Sequence, residues 1–313
     1  MGEADRPSIT HVIFDLDGLL VDTEPTYTEV NQRTMARFGK EFRLDLKPRT
    51  MGMKHDAAIQ LMLDAVGLFG LDFHHKTMGE ADRPSITHVI FDLDGLLVDT
   101  EPTYTEVNQR TMARFGKEFR LDLKPRTMGM KHDAAIQLML DAVGLHDKVS
   151  VAEYCAIYDP DLRARLPYCP MMKGAMRLVR HLAKHNIPMA ICSGSRTREF
   201  NLKVQNHKEL TDLIPLQVRA SDDPEIAEGK PAPDAFLVTM RRFAVKPADA
   251  SNVLVFEDAP NGVLAAVAAG MHVVMVPDLS YASPPESVKH RIAFVLNSLE
   301  DFKPESMGLP PYD

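Results

Sequence analysis

The chain has 313 residues, 45% hydrophobic and 26% charged, with a formal charge of −8. That composition is globular, the negative balance argues against a nucleic-acid polymer or an anionic membrane as partner, and no apolar run reaches the roughly 20 residues that span a bilayer. Cys155, Cys169 and Cys192 show no CxxC spacing. They read as free thiols in a reducing compartment, and with no signal-peptide core at Met1–Arg6 the expected location is cytoplasmic.

In chain order the first feature is a repeat. Residues 1–68 recur without substitution as 78–145, separated by the joiner Phe69–Thr77. From 86 onward apolar runs alternate with helical periodicity. Ile86–Phe91 reads as a strand ending at Asp92, and 103–116, 131–143 and about 147–158 as helices. Gly116 and Gly144 stand as helix stops, and Pro160, Pro167 and Pro170 are expected to break the chain. An amphipathic helix over 172–185 places Met172, Ala175, Met176, Val179 and Leu182 on one stripe. Then come strand Ile187–Cys192, a helix near 197–210, a strand near 214–219, a Pro-rich turn at 229–233 and a helix Asp234–Phe243. Strand Val253–Phe256, helix 261–269, and strands Val273–Val276 and Ala293–Leu296 close the series. Short continuous apolar strands between helices predict an α/β fold, a Rossmann-like parallel sheet core. The strandless stretch 100–167 is expected to be an inserted helical cap, between core segments 78–99 and 168–313. The whole is preceded by the duplicated, incomplete segment 1–77.

Ligands of open α/β sheets bind at the carboxyl ends of the strands. The polar residues there are Asp92 and Asp94, then Ser193 and Gly194, then Lys230 in its Pro-rich turn, then Glu257 and Asp258. Clustered carboxylates stay ionised only beside a cation, and an oxygen-only donor set favours Mg²⁺. A lysine and a hydroxyl can clamp a transferring phosphoryl group. One aspartate can attack phosphorus, and a second can move protons to the leaving group and from water. Each motif has an ordinary reading when taken singly: a capped turn, a helix N-cap, a solvated lysine, surface acids. Their joint order along one sheet edge favours a site. Other polar residues have ordinary roles: Cys192 as a buried strand residue, His74 and His75 as a solvated pair, His181 and His185 on a helix face without partners, and Arg126 and Lys131 as surface charge.

Asp92-Leu93-Asp94-Gly95, Ser193, Lys230 within Gly229-Lys230-Pro231 and Glu257-Asp258, in that order, resemble the motifs of the haloacid dehalogenase-like hydrolase superfamily. The resemblance spans 78–313. It implies Asp92 as nucleophile and Asp94 as general acid/base. It also implies Ser193, Gly194 and Lys230 at the phosphate, and Mg²⁺ on the Asp92 carboxylate, the Asp94 main-chain carbonyl and Asp258, with Glu257 acting through water. The substrate expected is a small phosphorylated metabolite, a nucleotide such as pseudouridine 5′-phosphate. The alternatives are a sugar or glycerol phosphate, phosphoglucomutase-like transfer, or an inactive interaction protein.

Asp15 repeats Asp92, yet Ser193, Lys230 and Asp258 occur once. Were the first copy in the sheet, a loop of 77 residues, the repeat offset, would have to be closed. Closure costs about 4 kcal/mol, so Asp92 is expected to be the one used. The surplus copy carries an unpaired apolar strand, Val12-Ile13-Phe14, and is expected to pack poorly. A monomer is expected, with strand-exchange association through 1–77 as its hazard.

Overall fold

Runs of Val, Ile, Leu and Phe that alternate between two buried faces make the sheet. In the computed structural model the strands are β1 (His88–Phe91), β2 (Met189–Ser193), β3 (Leu216–Arg219), β4 (Val253–Glu257), β5 (His272–Met275) and β6 (Ile292–Val295). They form one six-stranded parallel sheet in the order β3-β2-β1-β4-β5-β6. Val89, Phe91, Ile191, Leu254 and Phe256 join the core on one face. Ile90, Ala190, Cys192, Val253 and Val255 join the core on the other. Both faces are covered, as parallel sheets require, and the fold is α/β and Rossmann-like. The strand order reverses between β1 and β4, where a ligand crevice opens at the carboxyl ends.

The structure describes residues 84–313 together with 28, 29, 31–33, 35, 41, 42, 61 and 62. Two compact units divide the chain, Met1–His75 and Lys76–Asp313. In the first, Met35, Phe42 and Met62 are buried together against Leu61. Strand β1 comes from the second copy of the repeat, pairing Phe91 with Phe256 and Ile191. The first-copy strand Val12–Phe14, Asp15 and the pair His74-His75 lie outside the described residues. Among the described residues no helix is long and apolar enough to cross a membrane.

Helices α1 (Glu101–Arg114), α2 (Lys124–Thr127), α3 (His132–Ala142) and α4 (Val151–Arg165) follow β1 with no strand between them. Gly116 and Gly144, both at positive φ, end α1 and α3 as expected. Helix α4 starts later and runs further than its periodicity suggested. Ser150 and Glu153 form a capping box at its start. Pro160 lies inside α4 rather than ending it; the ion pair Asp159–Arg163 (2.9 Å) spans the proline and Asp161–Arg165 (2.9 Å) follows it. Buried Tyr154, Tyr158 and Leu162 tie this helix to its neighbours, and such packing overrides the local cost of the missing N–H.

The remaining helices are α5 (Ala175–Lys184), α6 (Thr197–Val204), α7 (Lys208–Leu213), α8 (Asp234–Arg242) and α9 (Pro260–Ala268). The buried stripe of α5 runs through Ala175, Leu178, Val179 and Leu182, so Leu178 takes the place expected of Met176. The helix expected over 197–210 is two, α6 and α7, and β3 starts at Leu216 rather than 214. Asn206 at that break donates to the Pro167 carbonyl at 2.7 Å, and His207 lies 2.8 Å from the Cys169 carbonyl. His181 is partnered, its Nε2 2.8 Å from the Pro310 carbonyl. All three cysteines are free.

The two crossings between sheet and helical insert run side by side. Val98 pairs antiparallel with Met171. Asp99 N donates to Pro170 O at 2.8 Å and Met172 N to Leu97 O at 2.9 Å, which makes a short two-stranded ribbon.

Candidate active site

Asp92 leaves β1 still in strand geometry, its N–H donating to Phe256 O at 3.0 Å. This sets it beside the end of β4, where Glu257 and Asp258 follow. Ligand oxygens of Asp92, Glu257 and Asp258 all lie within 4.8 Å of one another, and all three residues are buried. Lys230, from the turn before α8, reaches in between them. Its Nζ donates to Asp92 Oδ1 at 2.6 Å, Glu257 Oε1 at 2.5 Å and Cys192 O at 3.1 Å. One ammonium faces three carboxylates. Burial alone would favour the neutral amine, but Asp92 and Glu257 hold Lys230 charged, well above the ordinary lysine range.

The surplus negative charge shows in the carboxyl groups. Burial raises Asp92, against the pull of Lys230 and with the Asp94 charge adding to it. Burial likewise moves Glu257 to about 7, Lys230 opposing and Asp92 reinforcing. Asp258 stands well above the carboxylate range through burial and then the charges of Asp92, Glu257 and Glu101. Glu257 Oε2 is buried without a hydrogen-bond partner. An unmatched acceptor among acids that resist ionising together is a donor set that fits a hard divalent cation such as Mg²⁺. The turn leaves room at Gly95, where φ is +74° and a Cβ would fall 2.3 Å from Asp258 Oδ2.

Asp94 meets a different environment. Its Oδ1 accepts from Thr100 Oγ1 at 2.7 Å and lies 2.5 Å from Lys203 Nζ. Its Oδ2 is 3.0 Å from Ser195 Oγ and 3.2 Å from Ser193 Oγ. Burial pushes Asp94 up, but Lys203 and the hydroxyls outweigh it and hold the carboxyl below its ordinary value. Lys203 itself is fully buried and also donates to Ser195 Oγ at 2.5 Å.

Seven candidates named from sequence thus gather at one sheet end, in two groups. Lys230 joins Asp92 and Glu257, with Asp258 alongside, whereas Ser193 turns its hydroxyl toward Asp94 and Ser195. Gly194 lies under the insert, where a Cβ would fall 2.6 Å from Met130 O. Sequence reasoning missed Lys203, Thr100 and Ser195 as partners of Asp94. One signal was available for Lys203: it shares the buried side of α6 with Glu199, Phe200 and Val204, where a lysine needs an acid partner.

The helical insert roofs this end of the sheet. A cleft of about 790 Å³, partly open to solvent, runs from Asp92 and Asp94 to Asn108, Met139 and Tyr158. Lys131, read as surface charge, instead ties insert to sheet domain, its Nζ donating to Ile226 O at 2.7 Å. Asn261 Nδ2 donates to Met128 O at 3.0 Å and Arg126 O at 3.1 Å, and Arg196 pairs with Asp133.

Comparison with known proteins agrees with this geometry. A family profile described as haloacid dehalogenase-like hydrolase matches residues 86–270. The chain is 48% identical over 233 residues to an Arabidopsis thaliana protein named (DL)-glycerol-3-phosphatase 2, covering 74% of this chain and 95% of the relative. It is 40% identical over 227 residues to a Drosophila melanogaster protein named "Probable pseudouridine-5'-phosphatase", covering 72% and 96%. Among solved structures, β-phosphoglucomutase from Clostridium difficile superposes with a TM-score of 0.59 at 20% identity, covering 71% of this chain and 96% of that one, a likeness of fold. The chain belongs to the haloacid dehalogenase-like hydrolase family and is a phosphatase, a phosphoric monoester hydrolase.

Proposed function

We propose that the chain hydrolyses the phosphate monoester of a small polyol in two steps through an aspartyl-phosphate. Asp92 attacks phosphorus, an Asp92 O–P bond forms, and the ester P–O bond breaks. Asp94, ionised in the free site, takes up a proton from bulk water as substrate binds and hands it to the departing alkoxide. Water then attacks the same phosphorus, Asp94 takes the water's proton, the Asp92 O–P bond breaks, and inorganic phosphate leaves. Lys230, ionised beside Asp92, offers its charge to the phosphoryl oxygens, and the site's hydroxyls lie at Asp94. The Asp92 carboxylate, the Asp94 main-chain carbonyl and Asp258, backed by Glu257, would hold Mg²⁺, whose charge offsets that of the phosphoryl oxygens.

The observation that carries this reading is the excess of three buried carboxylates over one lysine beside Asp92. A site of that charge repels a phosphate until a divalent cation balances it. Glycerol 3-phosphate is the first substrate to test, since the glycerol-3-phosphatase relative shares 48% of aligned residues. Pseudouridine 5′-phosphate is the second, supported by the relative at 40% identity. The assay is Mg²⁺-dependent release of inorganic phosphate by the full chain, with Asp92→Asn as control. Release that persists in EDTA, or in the control, overturns the reading.

A further inference from the structure

Helix α1 presents Glu101, Tyr104, Thr105 and Asn108 to the cleft, at helical spacings that form one stripe. An inward helix face is ordinarily apolar, so a polar one needs partners. Glu101 has one in Lys124, whose Nζ lies 3.2 Å from its Oε2. Thr105 Oγ1 donates to Glu101 O at 2.9 Å. Asn108 is only half satisfied. It is 6% exposed, and its Oδ1 accepts from the hydroxyl of fully buried Tyr154 at 3.1 Å. That bond fixes the plane of the amide. The amide Nδ2 makes no hydrogen bond among the described residues. Phe119, Ile136 and Met139 line the same cleft with apolar side chains. Asn108 lines the cleft and its Nδ2 is not sealed off from it, so a ligand oxygen placed there can accept from the amide.

We propose that Asn108 is a specificity-determining residue: its oriented amide donates to a hydroxyl oxygen of the leaving alcohol, so the site selects phosphate esters of polyhydroxy alcohols. This rests on the phosphatase reading above. Glu101 on the same stripe can accept a hydroxyl proton, which suits an alcohol better than a carbonyl. The shared chemistry fits a free polyol or the ribosyl part of a nucleotide.

The test measures kcat/KM with Mg²⁺ for glycerol 3-phosphate, pseudouridine 5′-phosphate and n-propyl phosphate, which lacks the free hydroxyls. The wild-type chain should prefer a hydroxylated ester over propyl phosphate by about 100-fold, and the better of the two identifies the source of the hydroxyl. Asn108→Leu should shrink that preference at least about 10-fold, mainly through KM. Tyr154→Phe, which frees the amide to rotate, should shrink it by a smaller factor, and adding it to Asn108→Leu should change nothing further. Equal losses on propyl and hydroxylated esters, or an unchanged preference, overturn the assignment; if Asn108→Leu does not fold, Tyr154→Phe alone decides by the same ratio. Absence of turnover on every ester by the wild-type chain instead defeats the phosphatase reading, and this inference with it.

Discussion

Two buried lysines serve the two aspartates of one turn, and their surroundings are opposite. Around Lys230 three carboxylates compete for one ammonium, and Asp92, Glu257 and Asp258 are all pushed toward protonation. Around Lys203 a single carboxylate, Asp94, is surrounded by donors and held ionised. The first group lacks positive charge; the second is complete. Residues two apart in sequence can therefore divide the labour, one side carrying more carboxylates than its lysine balances and the other already matched.

The sharpest way to break this comparison is at its first aspartate. Asp92→Asn should abolish phosphate release, a loss of about 10⁴-fold or more, while Asp15→Asn leaves turnover within twofold or so. The reverse result in a steady-state assay would place the working strand in the first copy. Next in size, Asp94→Asn should lower kcat by about 10²–10⁴-fold with little change in the Mg²⁺ requirement. Asp258→Asn should instead raise the Mg²⁺ concentration for half-maximal rate at least about 10-fold. A metal titration on both variants separates the two groups, and equal shifts would dissolve the distinction.

Lys203→Met leaves Asp94 buried without its counter-charge and should cost about 3–5 kcal/mol, read from urea unfolding. The smallest effect is on pH. Folded Glu257 sits at about 7 against an ordinary 4.5, so between those values the folded chain keeps a proton that the unfolded chain releases. Its contribution is complete below pH 4.5 and fades as pH rises through 7. Glu101, moved to about 7 by burial against the pull of Lys124, acts in the same direction. Metal-free protein should therefore unfold at lower urea at pH 8 than at pH 5.5, and Mg²⁺ should recover more at pH 8. A midpoint that rises with pH in EDTA would contradict the charge imbalance.

Much of this was legible from residues alone. The six strands and their helices follow from apolar runs, and Asp92, Lys230, Glu257 and Asp258 stand next to strand ends or tight turns, where spacing fixes position. What escaped was set by contacts distant in sequence. Lys203 finds Asp94 across 109 positions of chain, and Lys131 finds Ile226 across 95. Pro160 stayed helical because α4 is held by its packing and its ion pairs, which no local propensity encodes. Asn108 looks in sequence like any polar residue of an amphipathic helix; only its burial and its half-used amide set it apart.

The ribbon formed by Val98 and Met171 bears on mechanics. A domain hung from one strand can twist as well as tilt, whereas two strands bonded side by side resist twist and leave one soft axis. The ribbon should then hold the insert against twist, and Asn108 rides on α1, the helix that follows its first strand.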